Sequence, residues 1–163
     1  MDSDSITRFI AETFAGVDVV RPDAGSDAPE IAWGDTFFIY DPDRNLTGKD
    51  RFPFATIVTK DYGDFDRAGQ LDRPGVFRLN IGVTRETYAA LFGAPPSRAH
   101  TAADDTTRDF SALDTIMPHP VYAPQSWIGV LNPSDTTFES VRPLIAEAHG
   151  IAASRHARRS RSA

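Results

Sequence analysis

Successive β-rich segments that follow one another without intervening helices are the feature of this sequence that most limits its fold. They lie at 17–20, 30–40, 53–60 and 75–83, and each is dense in β-branched or aromatic residues and bounded by turn formers. Strands connected in this way pair mainly antiparallel, and their helices gather on one face of the sheet. We therefore expect an α+β fold on a mainly antiparallel sheet, with helices from both chain ends packed on one face. Gly34-Asp35 indicates either a bulge or a tight hairpin within 30–40.

Apolar residues recur with helical spacing near both ends of the chain. The N-terminal stripe consists of Ile6, Phe9, Ile10 and Phe14. The C-terminal stripe consists of Phe138, Val141, Leu144, Ile145 and Ala148. Because proline is tolerated only in the first turn of a helix, Pro143 predicts that the C-terminal helix begins near Ser140, and Gly150 predicts its end.

The least periodic part of the chain lies between a short predicted helix, 84–92, and the last predicted strand, 127–131. Within it, residues 94–118 form an uncommonly long stretch without periodicity, and such stretches act as lids or hold a short helix. The second half of this stretch carries apolar residues that predict docking on the rest of the domain, namely Phe110, Leu113, Ile116 and Met117.

Length and composition favour one domain. The chain has 163 residues, of which 40% are hydrophobic, enough for a core without metals or disulfides. We expect a single α+β domain over 1–154 and a basic, disordered tail over 155–163. The N-terminus lacks the basic and apolar regions of a secretion signal, and no apolar stretch reaches the roughly 18 residues that span a membrane. We therefore expect a cytoplasmic protein that does not contact membranes.

An acidic charge balance argues against a nucleic-acid partner. The formal net charge is −6, and without the four arginines between 155 and 161 the remaining 13 cationic side chains face 23 acids, a charge of −10. Phosphate backbones are bound mainly by lysine and arginine, so we expect nucleic-acid binding to be disfavoured.

Several chemistries lack the residues that they need. No cysteine is present, which excludes thiol nucleophiles and thiolate metal sites. The chain has no GxGxxG, Walker A or GxSxG motif, and we expect no cofactor. Asp61, Asp64, Asp66 and Asp104-Asp105 offer oxygen ligands for a hard cation, but solvated acidic loops are the commoner explanation, and we predict no metal site.

The segment 75–83 supplies the strongest candidates for a binding site. Strand alternation sends its apolar residues to a core face and Arg78, Asn80 and Gly82 to the opposite, polar face. An arginine beside an asparagine, with a glycine that permits close approach, suits a carboxylate, a phosphate or another planar acceptor. The alternative is that Arg78 pairs with a nearby aspartate and Asn80 is merely solvated.

Residues of neighbouring segments would complete this binding site. Trp33 and Trp127 fall in separate predicted strands and would wall it, although core packing is the alternative for at least one of them. Asp35 either caps a turn or belongs to the site, because an unpaired buried carboxylate is costly. Lys60 either contributes to the site or forms an exposed ion pair at the end of its strand. Tyr122 completes the predicted ligand-binding set.

His119 is the candidate for acid–base catalysis. It lies between two prolines in the segment MPHPVY, which restricts the backbone around it. Imidazole titrates near neutral pH and is a frequent general acid or base. A hydrogen-bonded structural histidine is the alternative, because the sequence shows no partner for it.

Four segments resemble an actinobacterial family of unknown function, DUF6194: PEIAWGDTFFIYDP, PFATIVTKDY, LDRPGVFRLNIGV and LDTIMPHPVYAPQSWIGVLNP. The resemblance covers nearly the whole chain and implies no activity. Residues 127–131 and 141–149 are more loosely similar to MmcQ/YjbR-like proteins, which implies a frataxin-like arrangement of terminal helices on one face of an antiparallel sheet. That similarity also implies a role in secondary metabolism or drug resistance. Some YjbR-like proteins are proposed to bind DNA, an expectation from which the acidic body of this chain departs.

Two classes of function follow from these features. The first is binding of an anionic or polar small molecule, with or without catalysis by His119, in a cleft between the polar sheet face and residues 94–118. The alternative is an interaction module that binds protein or nucleic acid through an exposed sheet face and the arginine-rich tail. A metal-dependent enzyme is a third hypothesis, and the sequence does not indicate an oligomeric state.

Overall fold

The computed structural model describes residues 1–100 and 105–162. Its helices and strands, in chain order, are α1 (Ser3–Thr13), β1 (Val17–Val20), β2 (Thr36–Tyr40), β3 (Ala55–Val58), β4 (Arg78–Gly82), α2 (Arg85–Phe92), β5 (Ile116–Pro118), β6 (Trp127–Leu131) and α3 (Asp135–Ser162). Short 3₁₀ turns lie at Glu30–Ala32, Gly48–Asp50 and Ala123–Gln125. None of the helices in this part of the chain has the length and hydrophobicity needed to cross a membrane.

The strands form one antiparallel sheet in the order β1-β2-β3-β4-β6-β5. Strands that follow one another in the chain also pair in the sheet, except that β6 lies between β4 and β5. The predicted α+β class and antiparallel sheet are therefore confirmed.

One face of the sheet carries the hydrophobic core. Leu79 and Ile81 of β4 are fully buried there, together with Ile6 and Ile10 of α1 and Ile145 of α3. Burial of a side chain of this size contributes about 1.5–3 kcal/mol. Helices from both chain ends therefore pack on the same face, as predicted, and the polar residues of β4 lie on the opposite face.

α3 begins earlier than the sequence predicts. Its first residue is Asp135 rather than Ser140, and the hydroxyl of Ser134 accepts a hydrogen bond from a first-turn backbone N–H at 3.2 Å. Pro143 consequently lies inside the helix, where it removes one backbone hydrogen bond. Phe138 is buried in the core before the proline, and this burial offsets part of the loss.

α3 also continues past Gly150 to Ser162, which corrects the predicted helix end. The described residues of the segment 155–163 form the last turns of the helix, and its final residue lies outside the described part. His156 anchors these turns, since its Nε2 lies 3.3 Å from a carboxylate oxygen of Asp43 and its ring packs edge-on against Tyr40, with centroids 5.5 Å apart.

The segment 30–40 contains one strand rather than a bulged strand or a hairpin. β2 begins only at Thr36, because the residues before it form a 3₁₀ turn and Gly34 adopts a φ of 86°, a conformation that glycine reaches without strain. Trp33 therefore lies on a turn and not in a strand, which corrects its prediction. Its indole Nε1 donates a hydrogen bond to the carbonyl of Ala28 at 3.1 Å.

The stretch 94–118 carries a short strand, β5, at the edge of the sheet, which sequence analysis missed. Phe110 and Met117 are buried in the core, in line with the predicted docking of its second half, whereas Leu113 is exposed. Residues 101–104 of this stretch lie outside the described part of the chain.

Candidate functional site

A cavity of about 710 Å³ is lined both by residues of the sheet face opposite the core, such as Asn80, and by core residues, such as Phe54 and Ala148. β3 and β4 form its floor, and its walls come from the segments 49–54, 62–66 and 119–127 and from the C-terminal half of α3. No described residue of 94–118 lines it, which corrects the cleft expected between the sheet and that stretch. The volume lies within the range of small-molecule sites in proteins.

A chain of buried polar groups crosses the floor of this cavity. The carboxylate of Asp66 accepts hydrogen bonds from Nη2 of Arg78 at 2.5 Å and from Nη1 at 3.3 Å. Nε of Arg78 donates to Oδ1 of Asn80 at 2.7 Å, and Nδ2 of Asn80 donates to the Thr56 hydroxyl at 3.0 Å. Because Arg78 is only 1% exposed, Asp66 neutralises its charge within the protein.

Strand register and a glycine create the space for these groups. Asn80 of β4 pairs with Thr56 of β3 on one side and with Gly129 of β6 on the other. A Cβ atom on Gly129 would lie 3.1 Å from Cδ of Arg78 and 3.2 Å from Oδ1 of Asn80. The glycine therefore leaves the room that the two polar side chains occupy.

His119 is buried at the edge of the floor, with 3% of its surface exposed. Its Nδ1 accepts hydrogen bonds from the backbone N–H groups of Val121 at 3.0 Å and Tyr122 at 2.9 Å. Nδ1 thus carries a lone pair, so the proton of the neutral ring lies on Nε2. Burial, and then the nearby Arg78 cation, lower the pKa of His119 well below its usual value of 6.5, which keeps the ring neutral near pH 7.

Two hydrogen-bond donors, Nε2 of His119 and Nη2 of Arg78, converge on this floor, and each has a hydrogen without an acceptor in the described part of the chain. Nε2 of His119 lies 3.3 Å from Nη2 of Arg78, and because both atoms carry hydrogen they cannot bond to each other. Oδ2 of Asp66 lies 4.0 Å from Nε2, beyond hydrogen-bond distance. Among the described residues, the Nε2 hydrogen and the second Nη2 hydrogen have no other acceptor. An oxygen atom of a bound molecule would satisfy both.

Aromatic side chains surround the opening of the cavity. Phe52, Phe65 and Tyr122 line it and are 59%, 60% and 43% exposed. Tyr122 packs against the His119 ring with centroids 4.9 Å apart, and Phe65 packs edge-on against Tyr122 at 6.0 Å. Exposed apolar surface gathered around a concave site is typical of a contact region for a ligand.

Trp127 occupies the space beside Gly82 at the end of β4. The two residues are partners in the β4–β6 pair, and a Cβ atom on Gly82 would lie 2.9 Å from Cε2 of the indole. The close approach that this glycine permits is therefore made by Trp127, and not by a ligand as sequence analysis expected. The indole itself lines the cavity and packs edge-on against Phe52, with centroids 6.2 Å apart.

Asp35 and Lys60, with Trp33, form a second polar cluster, which reaches the cavity only through Tyr62. The fully buried Asp35 carboxylate accepts hydrogen bonds from the backbone N–H of Thr59 at 2.9 Å, from its hydroxyl at 3.0 Å and from the Tyr62 hydroxyl. Nζ of Lys60 lies 3.6 Å from this carboxylate and donates to the Trp33 carbonyl. Burial, and then the hydrogen bond to Asp35, raise the pKa of Tyr62, so its hydroxyl keeps its proton.

Comparison with known protein families identifies the family of this chain. The model of a family of unknown function (DUF6194) matches residues 1–161 of the chain. The chain belongs to this family. No curated protein and no solved structure matches it. Its similarity to MmcQ/YjbR-like proteins and its actinobacterial origin stay predictions.

The predicted site residues of this DUF6194 protein divide into two groups. The structure brings one group together at the cavity, namely Arg78, Asn80, His119, Tyr122 and Trp127. The other group, Trp33, Asp35 and Lys60, lies in the separate cluster. The polar sheet face is also not the exposed surface that an interaction module was expected to use, because Arg78 and Asn80 are 1% and 2% exposed.

Sequence reasoning missed several residues that line the cavity of this DUF6194 protein. Asp66 lies in a loop with other aspartates, and nothing in the sequence singled it out as the partner of Arg78. Arg155 and Arg159 fell within the expected tail. Among the described residues, no group of three or more histidine and acidic side chains is arranged to hold a metal ion, and the metal candidate Asp104 lies outside them.

Proposed function

We propose that this DUF6194 protein binds a small molecule in the cavity, with an acceptor oxygen on the floor and an apolar body between the aromatic walls. The observation that carries the proposal is the convergence of Nη2 of Arg78 and Nε2 of His119, 3.3 Å apart. Both side chains are almost fully buried. A buried donor without an acceptor costs about 1–3 kcal/mol, which the oxygen of a bound molecule would recover.

The surroundings of this donor pair favour a neutral acceptor, such as a carbonyl or a hydroxyl. Asp66 already balances the charge of Arg78, and its Oδ2 lies 4.0 Å from Nε2 of His119. A second carboxylate placed here would be repelled by Asp66. The Thr56 hydroxyl, which accepts from Asn80, retains a hydrogen that it can donate to the same molecule.

In this proposal His119 acts as a donor that orients the bound molecule rather than as a general base. Its Nδ1 lone pair is engaged by two backbone N–H groups, and Nε2 already carries the proton. Burial and the Arg78 cation lower its pKa, so uptake of a second proton is disfavoured. These contacts favour binding over proton transfer.

Acetophenone and ethylbenzene test the donor pair, because they differ in one carbonyl oxygen. We expect acetophenone to shift the backbone amide signals of Val121 and Tyr122 in ¹H–¹⁵N spectra and to bind more tightly than ethylbenzene. In His119→Asn, the Asn oxygen replaces Nδ1 as acceptor but the Nε2 donor is lost. This variant should have a smaller preference for acetophenone over ethylbenzene than the native protein, because one of the two converging donors is lost while Nη2 of Arg78 remains.

Two exposed side chains provide a matched control for the aromatic walls. Tyr122, 43% exposed, lines the cavity, whereas Leu91, 42% exposed, does not. Tyr122→Ala should weaken binding of both compounds, and Leu91→Ala should weaken neither. The proposal is wrong if the two compounds bind equally, or if the shifted signals lie away from the cavity.

A further inference from the structure

Three cationic side chains line the cavity without ion-pair partners. Lys49, Arg155 and Arg159 are exposed, and none of them forms a salt bridge within the part of the chain that the structure describes. Asp50 also lines the cavity, while the remaining cavity carboxylate, on the floor, is engaged by Arg78. The cavity wall is therefore positively charged in a chain whose formal net charge is −6.

α3 presents its two cavity arginines at the end of a helical stripe. The stripe consists of Ala148, Ile151, Ala152, Arg155 and Arg159, all of which line the cavity. Their spacing of three and four residues places them on one face of the helix. The stripe changes from apolar to cationic toward the end of α3, so a molecule lying along it meets apolar atoms first and positive charge beyond them.

Two neighbouring arginines show that helix position alone does not explain this arrangement. The C-terminal end of any helix favours cations because of the helix dipole. Arg158 and Arg161 satisfy that preference but do not line the cavity, whereas Arg155 and Arg159 do. The feature that needs a separate explanation is thus the positive charge in the cavity wall.

We propose that the bound molecule is an amphiphilic anion, with an aromatic or other apolar body and a carboxylate, sulfonate or phosphate group. This inference rests on the proposed function, because it assigns the other end of the same molecule. The body packs against aromatic side chains such as Phe52, and the anionic group lies at Lys49, Arg155 and Arg159. Asp66 sets the orientation, since its carboxylate repels the anionic end from the floor.

Two fluorescent dyes with the same rings test this inference. Anilinonaphthalene sulfonate carries an anionic group, phenylnaphthylamine lacks it, and both become brighter when they leave water. We expect the sulfonated dye to bind the full chain about five- to tenfold more tightly, as a few exposed charge contacts allow. This advantage should largely disappear when NaCl is raised from about 50 mM to about 500 mM, because salt screens exposed charges.

Matched double variants locate the effect on α3. Arg155→Gln/Arg159→Gln should remove most of the advantage of the sulfonated dye and leave the affinity for phenylnaphthylamine within about twofold. Arg158→Gln/Arg161→Gln removes the same charge from the same helix and should preserve the advantage. Circular dichroism verifies that both variants retain their helix content.

The outcomes separate this inference from the proposed function. Equal affinities for the two dyes, or an equal loss in both double variants, would overturn the inference. Binding of phenylnaphthylamine that Tyr122→Ala weakens would in either case leave the cavity as a binding site. If neither dye binds, or if Tyr122→Ala changes nothing, the inference fails. The proposed function is then decided by acetophenone and ethylbenzene, because neither dye carries an acceptor oxygen for the donors on the floor.

Discussion

The carboxylate of Asp66 accepts two hydrogen bonds from Arg78 on the cavity floor, one from Nη2 at 2.5 Å and one from Nη1 at 3.3 Å. Because Arg78 is 1% exposed, loss of its partner would leave a buried charge uncompensated. We expect Asp66→Ala to lower the free energy of unfolding by about 3–5 kcal/mol. Arg78→Met should cost less, since the Asp66 side chain, 10% exposed, can turn toward solvent. Urea denaturation measures both.

The double variant Arg78→Met/Asp66→Ala completes this thermodynamic cycle. It removes the charge together with its partner, so we expect it to be more stable than Asp66→Ala alone. Strictly additive effects of the two substitutions would mean that the ion pair contributes no coupling energy. That result would also remove the reason for treating Arg78 as neutralised at the binding site.

His119 offers two substitutions that remove different nitrogens. Nδ1 accepts from the backbone N–H groups of Val121 and Tyr122, and an asparagine oxygen can take over that role. Glutamine retains a donor near the position of Nε2 but leaves both N–H groups unsatisfied. Each unsatisfied group costs about 1–3 kcal/mol, so His119→Gln should be the less stable variant by at least about 1 kcal/mol. The reverse order in urea denaturation would contradict the assigned tautomer.

The pH dependence of stability reports on the same side chain. Burial, and then Arg78, lower the pKa of His119 in the folded protein, so the unfolded chain takes up a proton first as the pH falls through about 6.5. Stability is therefore lost on acidification, by up to about 1.4 kcal/mol per pH unit from this group. The free energy of unfolding of the native protein should fall more steeply below about pH 6.5 than that of His119→Asn. Parallel curves would show that His119 titrates alike in both states.

Local sequence patterns predicted the strand in which successive side chains alternate between the two faces of the sheet. Strand alternation placed Arg78 and Asn80 on the face opposite Leu79, and the structure has them there, because a pleated strand allows no other arrangement once one face is buried. The alternative explanation of Arg78, an ion pair with a nearby aspartate, is also the one that the structure shows. The cavity alongside adds a second role, which pairing alone did not imply.

Contacts between distant segments determined what the sequence did not predict. Propensity favoured a strand at Trp33, but Gly34 and the 3₁₀ turn before it delay β2. The proline rule placed the start of α3 too late, because α3 begins at Asp135 and buries Phe138 in the core, which offsets part of the cost of Pro143. Neither strand propensity nor the proline rule includes contacts with distant parts of the chain, which determine where β2 and α3 begin.

Substitution by alanine should have opposite effects on stability at Gly82 and at Gly150. A Cβ atom on Gly82 would lie 2.9 Å from Cε2 of Trp127, so Gly82→Ala must displace the indole, at a cost of about 1–3 kcal/mol. Tryptophan emission should shift to longer wavelength as the ring becomes more exposed. Gly150 lies inside α3 with no atom within 4 Å of a Cβ position, and Gly150→Ala should stabilise the protein by about 0.5–1 kcal/mol. Thermal denaturation compares them, and equal effects would contradict the packing at Gly82.

The proposed anionic site depends on α3 remaining helical through its C-terminal turns. His156 packs against Tyr40, and its side chain is 14% exposed, whereas Arg158 is exposed on a neighbouring position of the same turn. We expect His156→Ala to destabilise the protein by about 1 kcal/mol and Arg158→Ala by less than about 0.5 kcal/mol. Cα chemical shifts should be helical through at least residue 159, with fraying only in the last turn.

Random-coil shifts beyond Gly150, together with equal effects of the two alanine substitutions, would show that the end of α3 is not anchored. Arg155 and Arg159 would then have no fixed position at the cavity, because only the helix aligns them with Ile151 on one face. Their charge would act on a bound anion no differently from that of Arg158 and Arg161. The shift measurement therefore tests the geometry of the anionic site without any ligand.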